Sequence, residues 1–124
     1  MKNTKIKTIY ISLIILICAS SSVAYAKAGS YSSTYNMKGG VFSKKWIEPK
    51  SKCTVCVNPE VGTPDEDMAV IWASKNFFGW DGEMKWTSST KAGKVTFKSS
   101  KKRKVWLRNF TGITWKGHVT FTWD

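Results

Sequence analysis

The chain has 124 residues, 20 Lys and Arg against 8 Asp and Glu, one His, three Cys and seven Trp, for a formal net charge of +12. This length supports one domain with one modest core. With a single histidine and three cysteines it is poor in the residues that acid–base catalysis or a structural metal site draws on.

The first 26 residues read as an export signal. Lys2, Lys5 and Lys7 form a positive start, and Ile9 to Ala19 is an apolar stretch too short to span a bilayer. Ala24-Tyr25-Ala26 is a small-x-small cleavage site, so the expected mature domain is Lys27 to Asp124, secreted or associated with the cell wall. It holds no second span. Removing the three signal lysines leaves 17 basic residues against 8 acids, a net +9.

Lys27 to Asn36 is rich in Ser, Tyr and Gly, and reads as a loose arm or a polar edge strand. Gly39-Gly40 marks a turn. Val41 to Ile47 and Thr54 to Val57 read as short strands, and Asn58-Pro59 and Gly62 to Pro64 as a loop. The expected mature domain keeps two of the three cysteines, Cys53 and Cys56, and in an exported domain this even count leads to the expectation of a disulfide that rigidifies a turn. Flanking Val55 and Val57 disfavour a helical Cys-x-x-Cys redox site, and the ligand count disfavours zinc.

Residues 64–78 admit two readings. Thr63, Pro64 and Glu66 resemble a helix start, whereas Met68 to Ala73 is an unbroken apolar run of strand length. The strand is preferred, with one short helix over 64–78 as the alternative. Asp65-Glu66-Asp67 is expected to cap or coat a loop.

Asp81-Gly82 predicts a hairpin turn joining Phe77–Trp80 to Glu83–Thr87. Lys94 to Lys98 alternates, with Val95 and Phe97 inward, and Arg103 to Asn109 is a further strand. The last twelve residues alternate most regularly. Ile113, Trp115, Gly117, Val119, Phe121 and Trp123 form an apolar face, and Thr114, Lys116 and His118 begin a wet one. The fold class is therefore all-β: a small antiparallel sandwich or barrel-like meander of about six to eight strands.

A three-residue loop, Phe110-Thr111-Gly112 with Gly112 left-handed, would pair the last two strands with Leu107 opposite Trp115 and Val105 opposite Gly117. Lys104, Trp106 and Arg108 would then point outward beside Lys116 and His118, with Lys101, Lys102 and Arg103 in the adjoining turn. Charge is concentrated there: Lys91 to Asp124 carries nine Lys or Arg and one acid, while Glu60 to Glu83 carries six acids and one Lys.

A basic patch containing a tryptophan suits an anionic surface polymer. The expected partners are anionic lipid, wall polymer or acidic polysaccharide, ahead of nucleic acid, and an antimicrobial, bacteriocin-like role fits such a protein. The alternative is a carbohydrate- or protein-binding module that does not depend on charge. Of the seven tryptophans, Trp106 is expected to be the exposed ring. His118 would sit between Lys104 and Lys116, a poor setting for a general base. No nucleophile, phosphate-loop or metal-binding motif occurs, so no enzymatic activity, cofactor or metal is expected.

Overall fold

The structure is a computed structural model that describes residues 28–124. The expected export signal lies outside the described residues, and Lys27 does too. Eight strands form: β1 (Gly29–Met37), β2 (Gly40–Phe42), β3 (Lys52–Val61), β4 (Asp67–Asn76), β5 (Gly79–Ser88), β6 (Gly93–Lys98), β7 (Lys104–Arg108) and β8 (Trp115–Trp123). The described residues contain no helix. None therefore offers a helix long and apolar enough to cross a membrane.

The strands make two four-stranded antiparallel sheets. Sheet A has the order β1-β8-β3-β6 and sheet B the order β2-β7-β4-β5. Of the sandwich and the meander, the sandwich is formed. Only β4 and β5 are neighbours both in sequence and in a sheet; every other connection crosses to the opposite sheet. Two interlocked Greek keys of this kind make a jelly roll, in which side chains from the two inner faces fill one core.

Sheet A contributes Tyr35, Val55, Val57, Phe97, Trp115, Val119 and Phe121 to that core, and sheet B contributes Met68, Val70, Trp72, Val105 and Leu107. The alternation read in β8 holds from Trp115 to Phe121, which are inward at every second residue. Ile113 precedes the strand and is exposed, so it is not part of the core face. The polar arm becomes the edge strand β1, paired with β8 along its whole length.

Several local expectations are corrected. Residues 64–78 form no helix: Glu66 donates its amide to the Thr63 carbonyl, Asp65 takes a left-handed φ of 64°, and the chain enters β4. The hairpin turn is not at Asp81-Gly82, which lie inside β5 opposite Ser74 and Ala73. It is at Phe77-Phe78, where the Asn76 side chain accepts from the Phe78 amide at 2.9 Å and Gly79 supplies a φ of 125°. An Asx turn plus a glycine thus outcompetes the Asp-Gly pair. Gly82 is used for closeness instead, since a Cβ there would stand 1.9 Å from the Trp72 carbonyl oxygen.

The β7–β8 hairpin does not form. β7 pairs with β2 and β4, while β8 pairs with β1 and β3. Residues 109–114 carry the chain between sheets. Asn109 organises them, donating to the carbonyls of Met37 and Ile113 and accepting from the Thr111 amide and hydroxyl. Gly112 is left-handed as expected, with φ 75°.

The Cys53–Cys56 disulfide is also absent. Residues three apart on a strand point to opposite faces. Cys53 faces the core as a free, fully buried thiol.

Candidate binding surface

β7 alternates cleanly. Val105 and Leu107 are buried between the sheets, and Lys104, Trp106 and Arg108 face outward, half-buried, on sheet B. Across the sheet, Trp106 sits between Phe42 of β2 and Ile71 of β4, with Met84 of β5 beyond. Arg108 sits between Gly40 and Ala69, followed by Trp86.

This outer face explains the unbroken apolar run in β4. Met68, Val70 and Trp72 look into the core, whereas Ala69, Ile71 and Ala73 look outward and are nonetheless buried. They are the floor beneath a layer of aromatic side chains. Small residues let large rings lie flat. At Gly40 a Cβ would meet Arg108, the Leu107 carbonyl and the Trp106 indole nitrogen at under 3 Å.

The rings form a continuous run. Trp46 stacks on Trp80 with centroids 5.7 Å apart, Trp80 meets Phe42 at 4.6 Å, and Phe42 stacks on Trp106 at 4.8 Å and 11°. The Arg108 guanidinium lies 4.4 Å from the Trp106 centroid and 4.8 Å from that of Phe110, and Phe110 meets Trp86 at 6.2 Å. Lys104 places its ammonium 5.4 Å from the Trp46 ring. Each such ring pair contributes about 0.5–1.5 kcal/mol beyond its buried area. Each exposed cation–π contact contributes about 0.5–1 kcal/mol. The acids Asp81 and Glu83 of β5 fall on the other side of the strand, and Asp67 stands at the far end of β4.

Six of the eight expected site residues lie on β7 or in the loop that leads into it. Lys104, Trp106 and Arg108 are on the face. Lys101, Lys102 and Arg103 lie in the β6–β7 loop, where the Arg103 backbone bridges to Ile47, and Lys101 and Arg103 line a cavity with Asp81 and Glu83 on the other side of β5. Lys116 and His118 are elsewhere, on the outer face of sheet A, because β8 belongs to that sheet. His118 there is 2.5 Å from the Glu60 carboxylate, so its neighbour is an acid and not Lys104.

Trp106 is not the most exposed ring, being stacked between Phe42 and Arg108. Trp86 and Trp46 are more open, at 53% and 44% exposure. The contributions of Phe42, Trp46, Trp80, Trp86 and Phe110 were not legible from strand periodicity. The signal that could have located them is the apolar β4 run, which requires cover on both faces. Among the described residues no three His, Cys, Asp or Glu side chains gather to hold a metal.

The class defined by this architecture is a small eight-stranded jelly-roll domain with an aromatic outer face. No protein-family model and no curated protein matches the chain. Solved structures do. A protein of the Bacillus endospore appendages, described as forming a family of disulfide-linked pili, superposes with a TM-score of 0.55 at 11% identity, over 77% of this chain and 82% of that one. The Yersinia pseudotuberculosis-derived mitogen matches with a TM-score of 0.47 at 13% identity, over 79% of this chain and 86% of that one. The likeness to the appendage protein is one of fold.

Proposed function

We propose that the domain is an exported, non-enzymatic binding module that takes an anionic polysaccharide of a cell surface, such as an acidic wall polymer, on the outer face of sheet B. The observation that carries this reading is the unbroken run of rings interleaved with Lys104 and Arg108. Sugar rings present apolar C–H faces that stack on flat aromatic side chains, and their carboxylate or phosphate substituents are met by the two cations. Lys101, Lys102 and Arg103 extend the positive field beyond the rings. Export is supported by the N-terminal pattern and is compatible with the fold of a Bacillus appendage protein.

Titration with alginate, a uronic-acid polymer, and with dextran, a neutral glucan, at low and high salt tests the proposal. Alginate is expected to bind and to weaken steeply with salt. Trp106→Ala and Arg108→Glu should each reduce alginate binding by about tenfold or more. Dextran binding that survives high salt would favour the charge-independent carbohydrate module. Tighter binding to single-stranded DNA than to alginate would move the assignment to nucleic acid, which uses the same stacking and charge.

A further inference from the structure

The β4–β5 turn carries two side chains that the fold does not use. Phe77 and Phe78 are 96% and 95% exposed, the most open large apolar residues described. Their rings meet each other edge to face at 5.4 Å and touch almost nothing else. The turn is nevertheless held in shape by the Asn76 side chain and by Gly79. It is a stiff two-residue tip with both rings presented to solvent.

The charge around the tip is as marked as its apolarity. Register places the β2–β3 loop, the β4–β5 turn and the β6–β7 loop at one end of the sandwich. Ile47 bridges to Arg103, Lys104 pairs with Ala73 near the end of β4, and Lys52 pairs with Lys98. This end therefore holds Lys44, Lys45 and Lys50 in one loop and Lys101, Lys102 and Arg103 in another, with Lys75 on the hairpin itself. Its acids are Glu48, Asp81, Glu83 and Asp124. Asp81 accepts from the Gly82 amide, and Asp124 is engaged by Ser51 and Lys52. The opposite end gathers Glu60, Asp65, Glu66 and Asp67, but also Lys38, Lys91, Lys94, Arg108 and Lys116, so its charges offset one another. Net positive charge is thus concentrated at the aromatic tip, while the far end is close to balanced.

We infer that the Phe77–Phe78 tip is an anchor that docks the domain end-on to an anionic lipid bilayer. The charge complementarity is direct: cationic loops ring the tip and would meet anionic headgroups, while the acids of the β3–β4 loop stand at the opposite end. The two phenyl rings enter the boundary of the acyl region. Trp80, one residue beyond Gly79, and Trp46, stacked on it, stand immediately behind, where indoles favour the headgroup level. The lysine stems reach past the rings to keep their ammoniums in water. This surface is separate from the Trp106–Arg108 part of the polysaccharide face.

Co-sedimentation of the purified protein with vesicles tests the inference. One set is equimolar phosphatidylglycerol and phosphatidylcholine, the other phosphatidylcholine alone. Binding to the anionic vesicles is expected to exceed binding to the neutral ones by about tenfold or more. The double variant Phe77→Ser, Phe78→Ser should lose at least about tenfold in affinity for anionic vesicles, given the burial of two rings. Its alginate binding should be unchanged. Trp106→Ala should show the reverse pattern, so failure of the anchor and failure of the polysaccharide face are distinguishable. If the double variant is poorly folded, Phe77→Ser and Phe78→Ser singly are read in the same way. Equal vesicle binding by wild type and Phe variants overturns the inference. So does a wild-type dimer that the Phe variants convert to monomer without any vesicle binding, which would make the tip a contact between copies.

Discussion

The guanidinium of Arg108 lies 4.4 Å from the centre of the Trp106 ring, on the same outward face of β7. Two residues apart on one strand, they share a face by the period of the pleat. The contact holds the arginine against the aromatic run, between the rings of Trp106 and Phe110. Charge and shape can therefore be separated. Arg108→Lys retains the charge but not the planar stack on Trp106 and Phe110. It is expected to weaken alginate binding by about threefold to tenfold while leaving the salt dependence unchanged. Arg108→Glu should lower both affinity and salt slope. Titrations at several salt concentrations read the difference.

Much of the fold is legible in the sequence because it follows from period two. The inward sets of β6 and β8 come from alternation alone, whereas the outward direction expected for Lys104, Trp106 and Arg108 rests on a β7–β8 pairing that does not form; it holds because β7 itself alternates. What alternation does not contain is which sheet a strand joins. β7 and β8 look like a hairpin because they are adjacent and end on a glycine. Asn109 instead ties the connecting loop to the Met37 and Ile113 carbonyls, and the chain crosses. That crossing separates Lys116 and His118 from the rest of the expected patch. The aromatic layer was hidden for a related reason: Phe42, Trp46, Trp80 and Phe110 come from four separate segments that only the Greek-key topology assembles.

Cys53 is fully buried between Phe97 and Trp123 of the neighbouring strands. Burial, together with the charge of Asp124, pushes its thiol up to about 12. A thiol in that state has almost no thiolate at neutral pH. Its alkylation by iodoacetamide is expected to proceed only as the domain opens, at a rate that rises with denaturant. Peptide mass mapping after timed labelling identifies the site. Rapid labelling of Cys53 in the native state would contradict the core position.

Two glycines should respond oppositely to a methyl group. At Gly82 an added Cβ would stand 1.9 Å from the Trp72 carbonyl oxygen, a backbone atom that cannot turn aside. Gly82→Ala is expected to cost about 3 kcal/mol. At Gly39 nothing lies within 4 Å and φ is not left-handed. Gly39→Ala should be neutral or stabilise by up to about 1 kcal/mol, by restricting the unfolded chain. Urea unfolding of both variants checks the pair. A mild effect at Gly82 would mean that β4 and β5 are not registered as described.

Asp124 closes the basic end by bonding across to the β2–β3 loop. Its carboxylate accepts from the amides of Ser51 and Lys52 at 2.8 and 2.9 Å, and also from the Ser51 hydroxyl. Burial by itself would raise its pKa, but these donors outweigh it and lower the value from 3.8 to about 2. The folded value lies below the unfolded one, so the unfolded chain binds the proton first as pH falls. The stabilisation is therefore complete above about 4 and is lost progressively as pH drops through about 2. Asp124→Asn should remove this part of the acid sensitivity. At neutral pH it should cost about 1–2 kcal/mol, the worth of a charge-assisted hydrogen bond. Thermal unfolding of both proteins between pH 7 and pH 2 is expected to give stability curves that converge toward the acid end, roughly as the carboxylate titrates. Curves that stay parallel to the lowest pH would show that the carboxylate is not held by Ser51 and Lys52.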